Sequence, residues 1–116
     1  MPESFTITEA GSFTNADSIA ISGQLDARTA PALNARCAVI RQDKRHLILN
    51  LADVGFIASS GIGTLLSIVE TFQQDGLRVR LIAPSEAVRS VIELLNLDPF
   101  LSIDDSEATA LVQLEN

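Results

Sequence analysis

The sequence has 116 residues, of which 47% are hydrophobic and 20% charged, and its formal net charge is −7. This length predicts a single domain over residues 1–116, because most domains contain roughly 100 to 150 residues. The negative charge disfavours direct binding of nucleic acid, and no apolar run approaches the ~20 residues that cross a bilayer, so we expect no membrane insertion. Residues 1–4 lack the basic and apolar regions of a secretory signal, which predicts a cytoplasmic location.

The first predicted elements are two strands and a helix. Residues 5–8 and 18–22 alternate apolar and polar side chains, which indicates an antiparallel pair of strands. The pattern breaks at residues 23–28, after which Thr29 is a candidate N-cap and Pro31 is tolerated in the first helical turn. The buried face of this helix is predicted to carry Leu33, Cys37 and Ile40.

A central strand leads into the stretch around which the chain is organised. Residues 47–51 are almost continuously apolar, as expected for a strand that is covered on both faces. Residues 56–66 then pass through two hydroxyls and two glycines into a second helix. Ser59 and Ser60 are candidate N-caps, because a side-chain oxygen there can accept from the free N–H groups of the first turn. A hydroxyl at a helix N-terminus is also a candidate for phosphorylation, since the helix dipole favours negative charge there.

The second helix is predicted to have two different faces. Its apolar face carries Ile62, Leu65, Leu66, Val69 and Phe72. Its opposite face carries Gly63, Thr64, Ser67, Glu70 and Gln74. The opposite face is small and polar near the N-terminus, so it covers little core, and we expect that another protein can approach it closely. Gly76 is suited to the end of the helix.

The remaining sequence predicts two strands that alternate with two helices. Residues 78–83 and 100–103 are the strands, and residues 84–86 and 104–106 begin the helices. Asn96 suits the left-handed position at the end of the third helix. The buried face of the third helix is predicted to carry Val88, Val91, Ile92 and Leu95. The buried face of the last helix is predicted to carry Ala108, Leu111 and Val112.

The predicted order is β-β-α-β-α-β-α-β-α, which defines an α/β fold with a mixed sheet of about four to five strands and four helices. Crossovers between parallel strands are right-handed, so the loops at residues 23–28, 55–60 and 83–85 should lie along one edge of the sheet. We therefore expect Asp26 to lie near Ser59, with Glu86 on the same edge. In open α/β sheets this is also the edge where ligands bind.

The residues at this edge do not form a recognisable catalytic set. The one histidine, His46, is predicted to enter its strand from the opposite end, so it cannot serve as the base of a serine nucleophile at the corner. No phosphate-binding loop follows Gly61 or Gly63, and no ligand spacing indicates a metal site. The sequence therefore predicts a binding module with no catalytic residues, no cofactor and no metal.

Three parts of the sequence together resemble the STAS family of bacterial anti-sigma factor antagonists. The first is Gly23-Gln24-Leu25-Asp26 followed by Thr29-Ala30-Pro31. The second runs from Leu49-Asn50-Leu51-Ala52-Asp53-Val54-Gly55 through Phe56-Ile57-Ala58-Ser59-Ser60-Gly61-Ile62-Gly63. The third is Pro84-Ser85-Glu86-Ala87-Val88-Arg89 with Leu94-Leu95-Asn96-Leu97. The similarity extends over about residues 4 to 114, with all elements in the same order.

This resemblance implies a partner-switching protein that is phosphorylated on Ser59. The implied partners are an anti-sigma factor that is also a serine kinase and, as a further candidate, a serine phosphatase. The unmodified protein would bind the kinase and so free a sigma factor or another target. Asp26 matches an acidic residue that the family needs for partner binding or phosphorylation, although it also suits a turn before Thr29. Ala58 stands where the family usually has aspartate.

The predicted partner-binding surface combines the two loops with the start of the second helix. It comprises Asp26, Ser60, Gly61, Gly63, Thr64 and Ser67. Phosphate on Ser59 would add about 1.5 to 2 negative charges to this surface at pH 7. An alternative is a STAS module that does not switch and serves as a subunit of a transporter-regulating or stress-signalling assembly. A third class, nucleotide binding at the same edge, has no complete glycine-rich phosphate cradle to support it.

Overall fold

The computed structural model describes residues 5–115, so the prediction made on residues 1–4 lies outside the described part. The strands and α-helices follow one another in the predicted order. They are β1 Thr6–Ser12, β2 Ala16–Leu25, α1 Ala30–Gln42, β3 His46–Ile57, α2 Ser59–Gln74, β4 Val79–Ile82, α3 Glu86–Leu94, β5 Ile103–Asp104 and α4 Glu107–Leu114. A short 3-10 helix, Asp98–Phe100, precedes β5.

The five strands form one mixed sheet in the order β1-β2-β3-β4-β5. The β1 strand is antiparallel to β2, whereas β2, β3, β4 and β5 are parallel neighbours. Each parallel pair is joined by a segment that contains a helix, because parallel strands require a crossover connection. The prediction of a mixed α/β fold with four helices is confirmed, and the sheet has five strands.

Helices cover both faces of the sheet. Buried residues of α1, α2 and α3 pack with the larger apolar cluster, which includes Leu33, Phe72 and Val88. The α4 helix covers a smaller cluster on the other face through Ala110 and Leu114. The central strand β3 contributes Leu47 and Leu49 to the first cluster and Ile48 to the second, which explains why its sequence is apolar at successive positions.

Burial confirms the predicted role of Cys37 in the core. The thiol lies on the buried face of α1 with Leu33 and Ile40, and 2% of the residue is exposed. Burial raises the pKa of Cys37 to about 12, an effect that outweighs the opposing charge of Arg36. The side chain is therefore protonated at neutral pH and behaves as a small apolar residue.

Two strands are longer than the sequence indicates, and this moves the loops. The β2 strand continues through Gly23, whose φ of +102° accompanies a shift in the pairing of β2 with β3, and it ends at Leu25. The β3 strand continues to Ile57. The predicted loops at 23–28 and 55–60 are therefore wrong in extent, because alternating burial against β3 extends the strands through residues of low strand propensity.

Near the C-terminus the element types are right, but several details are wrong. The expected strand at 100–103 is replaced by the 3-10 helix and by a two-residue strand at Ile103–Asp104. In α4 the exposed residues include Ala108 and Val112, whereas Ala110 and Leu114 are buried. Ala110 and Leu114 are four residues apart, so they share the face of α4 that packs on the sheet.

A membrane-spanning helix is not present among residues 5–115, since none of the described helices combines enough length with enough apolar character.

Candidate functional site

The corner between β3 and α2 is tighter than the sequence predicts. Ala58 is the one residue between the strand and the helix, and its extended backbone, with φ −89° and ψ 170°, makes it the N-cap. The carbonyl of Ala58 accepts the first helical hydrogen bond from the N–H of Ile62 at 3.0 Å. No side chain caps this helix. The prediction that Ser59 or Ser60 is the N-cap is therefore wrong, because both residues are already inside the helix.

The end of β2 lies directly beside this corner. Leu25 pairs with Ile57 across the two parallel strands, and the carbonyl of Leu25 accepts a hydrogen bond of 3.0 Å from the N–H of Ala58. Asp26 follows Leu25 and Ala58 follows Ile57, so the loop that carries Asp26 and the start of α2 meet at this point. The structure thus brings together the two segments that the sequence predicts to be neighbours.

Asp26 organises the turn that leads into α1. Its Oδ1 accepts hydrogen bonds from the N–H of Arg28 at 2.9 Å and from the N–H of Thr29 at 3.2 Å. Thr29 occupies the predicted N-cap position but does not cap the helix with its side chain. Instead, its hydroxyl donates to the carbonyl of Gln24 at 2.8 Å and accepts from the N–H of Asp26 at 3.0 Å. Asp26 therefore stabilises the turn before α1, as one of its two predicted roles requires, and its side chain stays partly exposed.

The residues of the predicted partner-binding surface differ in their exposure. Ser59, Ser60, Gly63 and Ser67 are exposed on α2. Gly61 is buried, as is Thr64, whose exposed fraction is 9% and whose hydroxyl donates to the carbonyl of Ser60 at 2.9 Å. The expectation that Thr64 lies on an exposed face of the helix is wrong, because α2 buries more of its circumference than its apolar side chains alone indicate.

The third predicted loop, at residues 83–85, contacts β3 several residues before the corner. The N–H of Ser85 donates to the carbonyl of Leu51 at 3.2 Å, and the hydroxyl of Ser85 donates to the carbonyl of Val54 at 2.6 Å. Both acceptors precede the end of β3. Since β3 extends past its pairing with β4, the loop at 83–85 contacts β3 before the carboxyl end of that strand. The three loops follow the carboxyl ends of three parallel strands and so lie along one edge of the sheet, as predicted, but the third loop is set back from the other two.

An apolar groove that sequence reasoning missed lies beside Ser59. It has a volume of about 290 Å³ and is called the proximal groove here. Its lining consists of Ile57, Ala58, Ser59, Ile62, Val91, Leu94 and Leu95. The exposed fraction of Leu94 is 78% and that of Leu95 is 52%, so the expectation that Leu95 is buried is wrong. Two successive leucines at the end of a short helix were a signal, because both cannot face the same core.

The one histidine lies away from the corner and has a structural hydrogen bond. His46 begins β3 at its opposite end, as predicted, and its Nδ1 accepts a hydrogen bond of 3.0 Å from the N–H of Arg78. Burial, with a further contribution from the charge of Arg78, lowers the pKa of His46 from its ordinary value. Within residues 5–115 no three His, Cys, Asp or Glu side chains are grouped so that they could hold a metal ion.

The fold and the corner define an α/β module that presents an exposed serine and an apolar groove at the start of a helix. The chain matches the sequence model of the STAS domain over residues 13–110, so it belongs to the STAS domain family. The resemblance deduced from the sequence is therefore confirmed.

Relatives that match the chain include anti-sigma factor antagonists, which are regulatory proteins. The chain is 27% identical to the anti-sigma F factor antagonist of Paenibacillus polymyxa over 99 residues, which cover 84% of this chain and 85% of the relative. It is 23% identical to the anti-sigma-B factor antagonist of Staphylococcus epidermidis over 88 residues, or 75% and 82% of the two chains. The crystal structure of an anti-sigma factor antagonist from Mycobacterium paratuberculosis is similar with a TM-score of 0.81, 25% identity and coverage of 96% of both chains.

Proposed function

We propose that the chain is a cytoplasmic anti-sigma factor antagonist that acts by partner switching. When unphosphorylated it binds an anti-sigma factor that is also a serine kinase, and phosphorylation of Ser59 releases it. A serine phosphatase then restores the binding form. The observation that supports this proposal most directly is the exposed position of Ser59 in the first turn of an uncapped helix, in a chain whose relatives are anti-sigma factor antagonists.

The position of Ser59 favours a phosphate on its hydroxyl. The N–H groups at the start of α2 precede the first helical hydrogen bond, which is donated by Ile62, and no side chain caps them. Free N–H groups and the positive end of the helix dipole stabilise negative charge at this place. The fold can therefore accept the phosphorylated serine without rearrangement.

The same phosphate opposes the binding of a partner. It adds about 1.5 to 2 negative charges at pH 7 beside the loop of Asp26 and the apolar proximal groove. A partner that covers Ser60, Gly63 and Ser67 would have to remove water from this dianion, which costs several kcal/mol when the charge is not paired. Phosphorylation thus acts as a local electrostatic and steric block, and the backbone is not required to move.

The proposal is tested by combining the chain with ATP and the anti-sigma factor kinase of the same organism. Intact mass should rise by one phosphate in the wild type and in Ser60→Ala, but not in Ser59→Ala. Ser59→Asp should bind the kinase at least tenfold more weakly than Ser59→Ala does. Ser60→Ala is the matched control, because Ser60 is the adjacent exposed serine of the same helix. An unchanged affinity of Ser59→Asp together with no gain of mass in the wild type would refute the switch.

A second function is a STAS subunit that remains bound to a transporter-regulating or stress-signalling assembly. Ala58 favours it, because alanine removes the carboxylate that the family usually places beside the phosphorylated serine. In that case native mass measurement would find a stable complex that neither ATP nor substitution of Ser59 dissociates. Ala58→Asp separates the two functions further, since a restored carboxylate should increase the phosphorylation rate only in a switching protein.

A further inference from the structure

Half of the large exposed apolar side chains of the described residues lie in one short segment. They are Val39, Phe56, Leu94, Leu95, Phe100 and Val112. Three of them, Leu94, Leu95 and Phe100, lie within seven residues at the end of α3 and in the 3-10 helix. Isolated apolar residues on a surface are common, whereas a contiguous group indicates an interaction site.

This segment borders a second groove on the other side from Ser59. The second groove has a volume of about 370 Å³ and is called the distal groove here. Its lining consists of Leu66, Val69, Glu70, Gln73, Leu97 and Phe100. The exposed fraction of Phe100 is 64%, so an aromatic ring forms one wall without being covered by the rest of the chain.

The two grooves follow the same side of α2. Ile62 lines the proximal groove, and Leu66, Val69 and Gln73 line the distal groove, so the lining positions are spaced by four, three and four residues. From Ile62 to Gln73 the helix rises by about 16 Å at 1.5 Å per residue. Residues of α3 or of the segment after it form the opposite wall of each groove. The two grooves are separate and lie one after the other along α2.

The charged groups at and beside the two grooves are carboxylates, and they indicate which kind of partner can bind. Among the described lining residues of the two grooves there is one carboxylate, Glu70, and no cation. Exposed Glu93 and Asp98 are sequence neighbours of Leu94 and Leu97. The ion pairs found within residues 5–115 use Glu9, Asp17, Asp75 and Asp104, so none of these three carboxylates has a cationic partner there. The carboxylate of Glu70 accepts one hydrogen bond of 3.4 Å from the amide of Gln74.

A second copy of the chain does not fit these charges. A two-fold symmetric contact buries the same patch of both subunits, so the carboxylates Glu70 and Asp98 of both copies would lie in one interface. The net charge of −7 adds to this repulsion. The favourable occupant is instead apolar at its centre and basic at its borders.

We propose that the distal groove binds an amphipathic helix of the anti-sigma partner, with apolar side chains against Leu66, Val69 and Phe100 and a lysine or arginine beside Glu70. A helix is the element that presents apolar side chains three and four residues apart along one face, as the lining of a groove beside α2 requires. The identity of this partner rests on the proposed function. Ser59 does not line the distal groove, so a phosphate on Ser59 adds no charge there. The distal groove therefore holds a part of the interface that phosphorylation does not block.

The test uses two synthetic 16-residue helical peptides and the full chain labelled with nitrogen-15. Both peptides carry leucine at i, i+4, i+7 and i+11. The charged residues at their other positions are all lysine in one peptide and all glutamate in the other. The lysine peptide should shift the amide resonances of Leu66, Val69, Leu97 and Phe100, and the glutamate peptide should bind at least tenfold more weakly. Phe100→Ala and Glu70→Lys should each lower the affinity for the lysine peptide at least fivefold.

Val112→Ala is the matched control, because Val112 is 61% exposed on α4, outside both grooves. It should change peptide affinity less than twofold, and circular dichroism should show that every variant keeps the fold. The proposal is overturned by an absence of shifts at the distal groove with millimolar lysine peptide, by equal binding of the two peptides, or by unchanged affinity in Phe100→Ala. It is also overturned if sedimentation shows a dimer that Phe100→Ala dissociates.

The two proposals fail in different experiments. Ser59→Asp should leave the peptide affinity of the distal groove within twofold, because Ser59 lines the proximal groove only. A chain that gains no phosphate but binds the lysine peptide would refute the switch and keep the docking surface. A chain that is phosphorylated and released but does not bind the peptide would refute the docking surface alone.

Discussion

Gly61 lies so close to Leu25 that a β-carbon at position 61 would be 2.5 Å from the Leu25 carbonyl oxygen. The same oxygen accepts the hydrogen bond of the Ala58 N–H at 3.0 Å. One backbone carbonyl at the end of β2 therefore fixes both the N-cap residue and the first turn of α2. This contact sets the place of Ser59 relative to the loop of Asp26.

Substitution of the two glycines of α2 should have opposite effects on stability. Gly61→Ala should lower the free energy of unfolding by about 2 kcal/mol, because the methyl group is forced against backbone. Gly63→Ala should raise it by up to about 1 kcal/mol, since alanine favours the helix and nothing lies within 4 Å of a β-carbon there. Urea denaturation measures both values. Equal losses in the two variants would show that the contact with Leu25 is not the cause.

Asp26 is predicted to have separable structural and charge roles. Asp26→Ala removes the acceptor for the N–H groups of Arg28 and Thr29 and should cost about 1 kcal/mol. Asp26→Asn keeps an acceptor oxygen and should stay within about 0.5 kcal/mol of the wild type. If the carboxylate charge contributes to partner binding, Asp26→Asn should still weaken binding of the anti-sigma kinase severalfold in calorimetry. Wild-type affinity in Asp26→Asn would leave the turn as its sole role.

Two serines with different hydrogen bonding should respond oppositely to alanine. The hydroxyl of Ser18 is buried in β2 and has no partner among the described residues, so Ser18→Ala should raise stability by about 1 kcal/mol. The hydroxyl of Ser85 donates to Val54 and accepts from the N–H of Val88 at 3.2 Å, so Ser85→Ala should lower stability by about 1 kcal/mol. Thermal melting of the two variants provides the comparison. A loss of stability in Ser18→Ala would show that its hydroxyl is satisfied in solution.

The pH dependence of stability should contain a contribution from His46. Its pKa in the folded chain lies below the ordinary value of 6.5, so between these two values the unfolded chain binds the proton more readily. This contribution to stability is therefore complete above about pH 6.5 and is lost as the pH falls through the lower folded pKa. His46→Asn keeps an acceptor for the N–H of Arg78 and should show a shallower decline in urea midpoints from pH 7.5 to 5.5. Parallel declines in the two proteins would contradict this assignment.

Periodicity and glycine positions predicted most of the architecture. The spacing of Leu33, Cys37 and Ile40 predicted the buried face of α1, and the left-handed ends at Gly76 and Asn96 have φ values of +74° and +54°. These features are local, because they depend on the helix period and on the backbone freedom of one residue. The exposure of Leu95 was predicted wrongly, since the period of a helix does not say how far the core extends along it.

The sequence by itself determined the order of elements, the mixed α/β class, the family resemblance and the segment that contains Ser59, because each depends on residues that are close in the chain. The tertiary structure decided that Ala58 and not a serine is the N-cap, and that Gly61 is placed against Leu25. It also decided that Leu94, Leu95 and Phe100 border two grooves along α2. These results depend on how far β2 and β3 extend and on where α3 packs, which are set by contacts between residues distant in sequence.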